Sequence, residues 1–287
     1  MDTVHEFEFK RKKYMPIFPK ASGKPTVYIE GYPFEDDEPM AATGFHADQI
    51  TILSDQLSRY FAINEHIYIG VDNFIYYREG DVTKFVAPDI YVVFGVEKYP
   101  QRRSFYTWSE GAIPVAVFEF LSDATANQDR HKKVQLYLID MGVQEYFIHQ
   151  PEIDKPAEFC GWQRSRSGNI LEIKPDAQGG IFSEVLNLWF RWEVQHDSHV
   201  RLLRPFLPDG TLITTSREEA HLRIQEQNLR IQEQNLRIQE QNLRIQEQNL
   251  REEAEMMAAK EAARRQELEA ELETLRAQLA NRQDGNM

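Results

Sequence analysis

Two acidic residues stand in strands that are otherwise apolar. Asp89 follows Pro88 at the head of PDIYVVFGV, and Glu119 lies inside PVAVFEFLS. A lone buried carboxylate is costly, so each of them needs a partner or a task. Two carboxylates on neighbouring strands can share a hard divalent cation such as Mg2+ or Mn2+, whose preferred ligands are oxygens. Such a cation acidifies water and offsets charge on a phosphodiester. Downstream, Asp129, Lys133 and Tyr137 recur at every fourth position, a spacing that lays them along one stripe of a helix. A lysine on that stripe reaches about 6 Å from its backbone, enough to bring its ammonium to a carboxylate on an adjacent strand. An ordinary Asp129–Lys133 surface pair accounts for the same spacing. Lys132, about 100° around the helix, is the rival for the inward-facing role.

These residues need a frame. HADQITILSDQLSRYFA has Ile50, Leu53, Leu57, Tyr60 and Phe61 at helical spacing, so it predicts a helix. HIYIGVD, NFIYYR, APDIYVVFGV and VAVFEFLS predict strands. A helix is expected from about Asn127 to Met141 with Gly142 as its cap, then a strand in EYFIHQP, a hairpin in EFCGWQRSRSGNILEIKP and a last segment in SEVLNLWFRWEV. The fold class expected is α/β, a mixed central sheet flanked by helices, followed by a long C-terminal helix. The expected organisation is an extended lead-in over 1–40, a globular domain over 41–200, a connector over 201–215 and a helical tail over 216–287.

The tail is a tandem repeat. LRIQEQN occurs four times from Leu222 to Asn249, and a continuous helix from there to Gln283 spans roughly 90 Å. Glu226 precedes Arg230 by four residues, the favoured ion-pair orientation. Leu222 and Ile224 are only two residues apart, so they point to opposite sides and make a poor zipper. Leu268, Leu272, Leu275 and Leu279 have the 4-3-4 spacing of a coiled-coil seam. Self-association through that end is expected, set against a solvated helix with no specific partner.

The chain has 287 residues and a formal net charge of −13, which argues against binding nucleic acid through an overall basic field. Any contact with nucleic acid then rests on local clusters, Lys10 to Lys13, Arg102–Arg103 and Arg130 to Lys133, each of which reads equally well as a solvated face. No apolar run approaches the roughly 18 residues of a membrane span. The first thirty residues show no secretory signal, and the single cysteine, Cys160, fits a reducing compartment. A cytoplasmic location is expected. No zinc-ligand spacing, phosphate-binding glycine loop, G-x-S-x-G elbow or Cys–His pair is present.

Pro88-Asp89 followed by a strand bearing Glu119 resembles the PD-(D/E)XK nuclease superfamily, although Leu121 stands where that motif has its lysine. The series PDIYVVFG, EFLSDAT, DRHKKVQLY and GVQEYFIHQPE resembles the Uma-two family of endonuclease-like proteins within that superfamily, over roughly residues 30–200. The resemblance implies a restriction-endonuclease-like fold and a lysine displaced into the following helix, where Asp129, Lys133 and Tyr137 match the family block. It implies Asp89 and Glu119 as Mg2+ (or Mn2+) ligands, Lys133 as the third catalytic residue and DNA as substrate. Glu38 in DDEPMA and His46 at the first helix also match; each has a plainer reading, an exposed acidic loop and a helix cap. Asp123 replaces a family proline and adds an acid beside the site. The competing expectation is a nuclease fold kept as an inactive binding or assembly module that works through its C-terminal helix. A homo-oligomer, through the domain and the tail, is expected in either case.

Overall fold

The computed structural model describes residues 24–34, 44–123, 126–195 and 199–284. The apolar spacing of the first segment produces α1 (Gly44–Tyr60), with Leu53 and Leu57 fully buried. The sheets comprise β1 (Ile67–Val71), β2 (Phe74–Tyr76), β3 (Phe85–Val86), β4 (Ile90–Phe94), β5 (Ser104–Tyr106), β6 (Ala116–Phe120), β7 (Glu145–His149), β8 (Phe159–Arg164), β9 (Ile170–Glu172), β10 (Ile181–Ser183), β11 (Leu188–Gln195) and β12 (Val200–Phe206). A six-stranded sheet runs in the order β1-β4-β6-β7-β8-β9; β10-β11-β12 and β3-β2-β5 form two smaller sheets. β6 and β7 pair in parallel and the other neighbours of the large sheet are antiparallel, so the sheet is mixed. The α/β class expected from the sequence is the one observed.

All five residues of β6 are buried, so its two faces enter two cores. Phe118 and Phe120 join Leu53, Leu57, Phe147, Phe190 and Leu203 on one side. Val117 joins Tyr137, Leu138, Tyr146 and Ile148 on the other. Strand alternation turns Glu119 to the second side, the face covered by the β6–β7 crossover.

That crossover departs from the single helix expected over 127–141. It consists of α3 (Ala126–Arg130), α4 (Lys132–Gln135) and a π-helical segment, Leu136–Met141. The break falls at His131, whose φ of −129° and ψ of −68° are not helical. Gly142 closes the run in the left-handed conformation at φ 83°, as its position after the last helical residue implied.

Residues 201–206, placed in a connector by the sequence reading, belong to the buried strand β12. Gln49 of α1 explains part of its placement. Its side-chain amide donates to the Leu203 carbonyl (3.2 Å) and accepts the Leu203 N–H (2.7 Å), standing in for a neighbouring strand. The lead-in is also docked where it is described: Ile29 and Tyr32 pack with Phe74, Tyr76 and Tyr106.

The chain divides into two compact units, Met1–Glu219 and Ala220–Met287. The long helix α5 (Ser216–Asp284) starts inside the first. Thr215 and Glu218 form a reciprocal capping box: the Thr215 N–H donates to Glu218 Oε2 (2.7 Å) and the Glu218 N–H to Thr215 Oγ1 (3.1 Å). In the second unit every described side chain is exposed. No described helix is long and apolar enough to cross a membrane.

Candidate active site

β4 and β6 are antiparallel with Ile90 opposite Phe118. One further step of that register sets Asp89 opposite Glu119, just outside the ladder and on the same face. There the Asp89 side chain takes over the acceptor role of the missing strand, its Oδ2 receiving the Phe120 N–H at 2.6 Å. Asp89 Oδ1 is 2.9 Å from His46 Nε2, on the first turn of α1. The His46 ring meets Phe120 edge-on with centroids 6.1 Å apart. The sequence left His46 between capping its helix and touching the site, and the structure puts it against Asp89.

Glu119 receives its partners from the crossover. Lys133 Nζ lies 2.7 Å from Glu119 Oε1 and 2.8 Å from Asp129 Oδ1. The Tyr137 hydroxyl donates to the same Glu119 oxygen at 2.7 Å. Asp129 is completely buried, and its backbone carbonyl accepts the Tyr146 hydroxyl at 3.1 Å. The stripe therefore survives the break at His131, and Lys132 faces solvent. Leu121, in the position of the motif's lysine, is a buried core residue whose N–H donates to the His149 carbonyl.

The charges do not cancel. Three carboxylates, Asp89, Glu119 and Asp129, face one ammonium and one imidazole. Burial raises the Glu119 carboxyl to about 7; Lys133 works against the shift, while the Asp89 and Asp129 charges add to it. Burial also acts to lower the Lys133 ammonium, but the Glu119 and Asp129 charges and hydrogen bonds outweigh it and hold the group well up. His46 is similar: burial lowers it, and the Asp89 hydrogen bond with the Asp89, Glu119 and Asp72 charges turns the net shift upward. Burial and the Glu119 charge push the Tyr137 hydroxyl up, so it stays a donor.

A deficit of positive charge between two carboxylates on adjoining strands suits a hard cation. Glu119 Oε2 makes no hydrogen bond among the described residues, and Asp89 keeps lone pairs beyond those it uses. No group of three His, Cys, Asp or Glu side chains able to hold a metal occurs among the described residues. Asp89 and Glu119 offer two carboxylates, and Mg2+ usually takes one or two from protein.

Other sequence expectations fare differently. Glu38 and the Lys10–Lys13 cluster lie outside the described residues. Asp123 stays out of the cluster: its side chain is 92% exposed and pairs with Lys155 at 2.8 Å. Arg102 is buried against Glu110, with Nη2 to Oε2 at 2.7 Å. Arg103 stacks over Phe34 at 4.6 Å, and Arg130 grips Glu158 with three hydrogen bonds. Arg102 is thus turned inward, whereas Arg103 and Arg130 make their contacts at the surface. The sequence reading passed over His149, a buried imidazole on β7 beside β6. It pairs through Nε2 with the Arg201 carbonyl (2.9 Å), and burial lowers its pKa to about 4. Its signal was a second polar residue, after Glu145, in the fully buried strand EYFIH.

No family model matches the sequence, and no curated protein does. Among solved structures, the chain is similar to a protein of Anabaena variabilis ATCC 29413 described as a "putative nuclease belonging to DUF820". The identity is 15%, the match covers 55% of this chain and 81% of that one, and the TM-score is 0.37.

Proposed function

We propose that the globular domain is a metal-dependent nuclease that hydrolyses DNA phosphodiester bonds at the Asp89–Glu119–Lys133 cluster. The observation that carries the reading is the arrival of Lys133 at Glu119 from the crossover, which supplies the acid–acid–lysine set that Leu121 leaves incomplete. Asp89 and Glu119, with the Phe120 carbonyl, are the groups that would hold Mg2+ or Mn2+. When bound, the cation supplies charge neutralisation at the phosphate and a more acidic water. Lys133 then orients the attacking water and stabilises negative charge on the phosphate, while Asp129 and Tyr137 keep Lys133 and Glu119 in place. His46 holds the Asp89 carboxylate in its rotamer. The test is plasmid cleavage with Mg2+ or Mn2+ by the wild type, Asp89→Ala and Glu119→Ala. Cleavage by the wild type alone supports the site, and equal activity in all three rejects it.

A second reading keeps the fold as a binding or assembly module without cleavage. The observation that favours it is the burial of Arg102 against Glu110, which removes one of the basic groups available to a DNA backbone. A wild type that neither cleaves nor binds Mn2+ while retaining its oligomeric state selects this reading.

A further inference from the structure

In the last third of α5, Leu268, Leu272 and Leu275 are 53%, 50% and 53% exposed. Their spacing places Leu268 and Leu275 at d of a heptad and Leu272 and Leu279 at a. Going back, the same frame meets Arg265 at a and Glu261 at d, which pair with each other along the helix at 3.2 Å. Farther back it meets the repeats on their Arg and Glu positions, not on Leu or Ile. One pair of those charges, Glu226 and Arg230, closes along the helix in the same way at 2.7 Å. The repeats therefore offer no continuation of the seam.

The flanking charges choose the partner and its direction. Arg264 and Glu271 occupy g; Glu269 and Arg276 occupy e. In a parallel, in-register pair, each g residue faces the e residue of the next heptad on the other helix. Arg264 then meets Glu269, and Glu271 meets Arg276, both opposite in sign and each made twice by symmetry. An antiparallel pair that keeps the leucines together sets Glu269 against Arg276 but Glu271 against Gln278, and takes Arg264 away from Glu269. We propose that the Leu268–Leu279 end of α5 pairs in a parallel, in-register arrangement with a second copy of this chain, and that the LRIQEQN repeats take no part in it.

The test uses the full chain carrying Cys160→Ser, with Leu272→Cys as a reporter at an a position. Oxidation should link two copies through residue 272. Glu271→Arg should lower the linked fraction about five-fold at limiting concentration, and Glu271→Arg with Arg276→Glu should restore it. Removal of one whole repeat, Leu229–Asn235, should leave linking unchanged. Helicity measured on each variant separates loss of pairing from loss of the helix. The proposal is overturned by absence of linking in a fully helical protein, or by linking indifferent to Glu271→Arg. It is equally overturned by linking that occurs only between a chain carrying Leu272→Cys and one carrying Leu275→Cys, the mark of an antiparallel pair.

Discussion

Lys133 Nζ and Glu119 Oε1 lie 2.7 Å apart across 14 residues of chain, one on the crossover and the other on a central strand. The strand alternation that turns Glu119 out of the Phe118–Phe120 face and the four-residue stripe that turns Lys133 inward produce this contact together. Its consequence is a buried carboxylate that keeps one ammonium beside it.

Replacing Lys133 with Met leaves Glu119 and Asp129 buried without a counter-ion. The expected cost is about 3 kcal/mol of stability at pH 8, the usual scale for breaking a buried pair. Lys132→Met, at an exposed position, should stay within about 0.5 kcal/mol of the wild type. Urea unfolding of the two variants checks this without reference to activity. In a cleavage assay, Lys133→Met should lose about a hundred-fold or more.

Much of the site was legible in the sequence because its spacing rules are local. Asp89 and Glu119 stood out as acids in apolar strands, and Asp129, Lys133 and Tyr137 as a period of four. What was not legible depends on partners far along the chain. Glu110 and Glu158 claim Arg102 and Arg130, and nothing in the two basic clusters announces it. The strand character of β12 was hidden because its alternation is broken by Arg201 and Arg204, both buried. Arg201 is held by the carbonyls of Glu152, Ile153 and Lys155, and Arg204 by Glu193 and Glu218. The break at His131 had no signal, since His-Lys-Lys is compatible with helix.

Stability should depend on pH through Glu119. Its carboxyl is raised from 4.5 to about 7, so the folded state holds this proton more tightly than the unfolded chain. The contribution is fully present below about pH 4.5 and is lost as pH rises through about 7. Glu119→Gln removes this dependence. Between pH 5 and pH 8 the wild type should lose about 2–3 kcal/mol more than the variant, read from urea unfolding at the two pH values.

Arg102 tests the reassignment of the basic clusters. Arg102→Ala strands the buried Glu110 carboxylate and should cost about 3–5 kcal/mol. Its midpoint in urea should fall sharply. Any DNA affinity, measured under conditions where the variant remains folded, should be unchanged, because Arg102 is turned inward.

The central claim is that Asp89 and Glu119 hold one divalent cation beside Lys133. A crystal soaked in Mn2+, with anomalous data collected, tests it most directly. The account predicts a single anomalous peak bridging Asp89 and Glu119, with Lys133 Nζ within about 4 Å, and no peak in Glu119→Ala. A wild-type crystal at saturating Mn2+ with no peak between these carboxylates would contradict it.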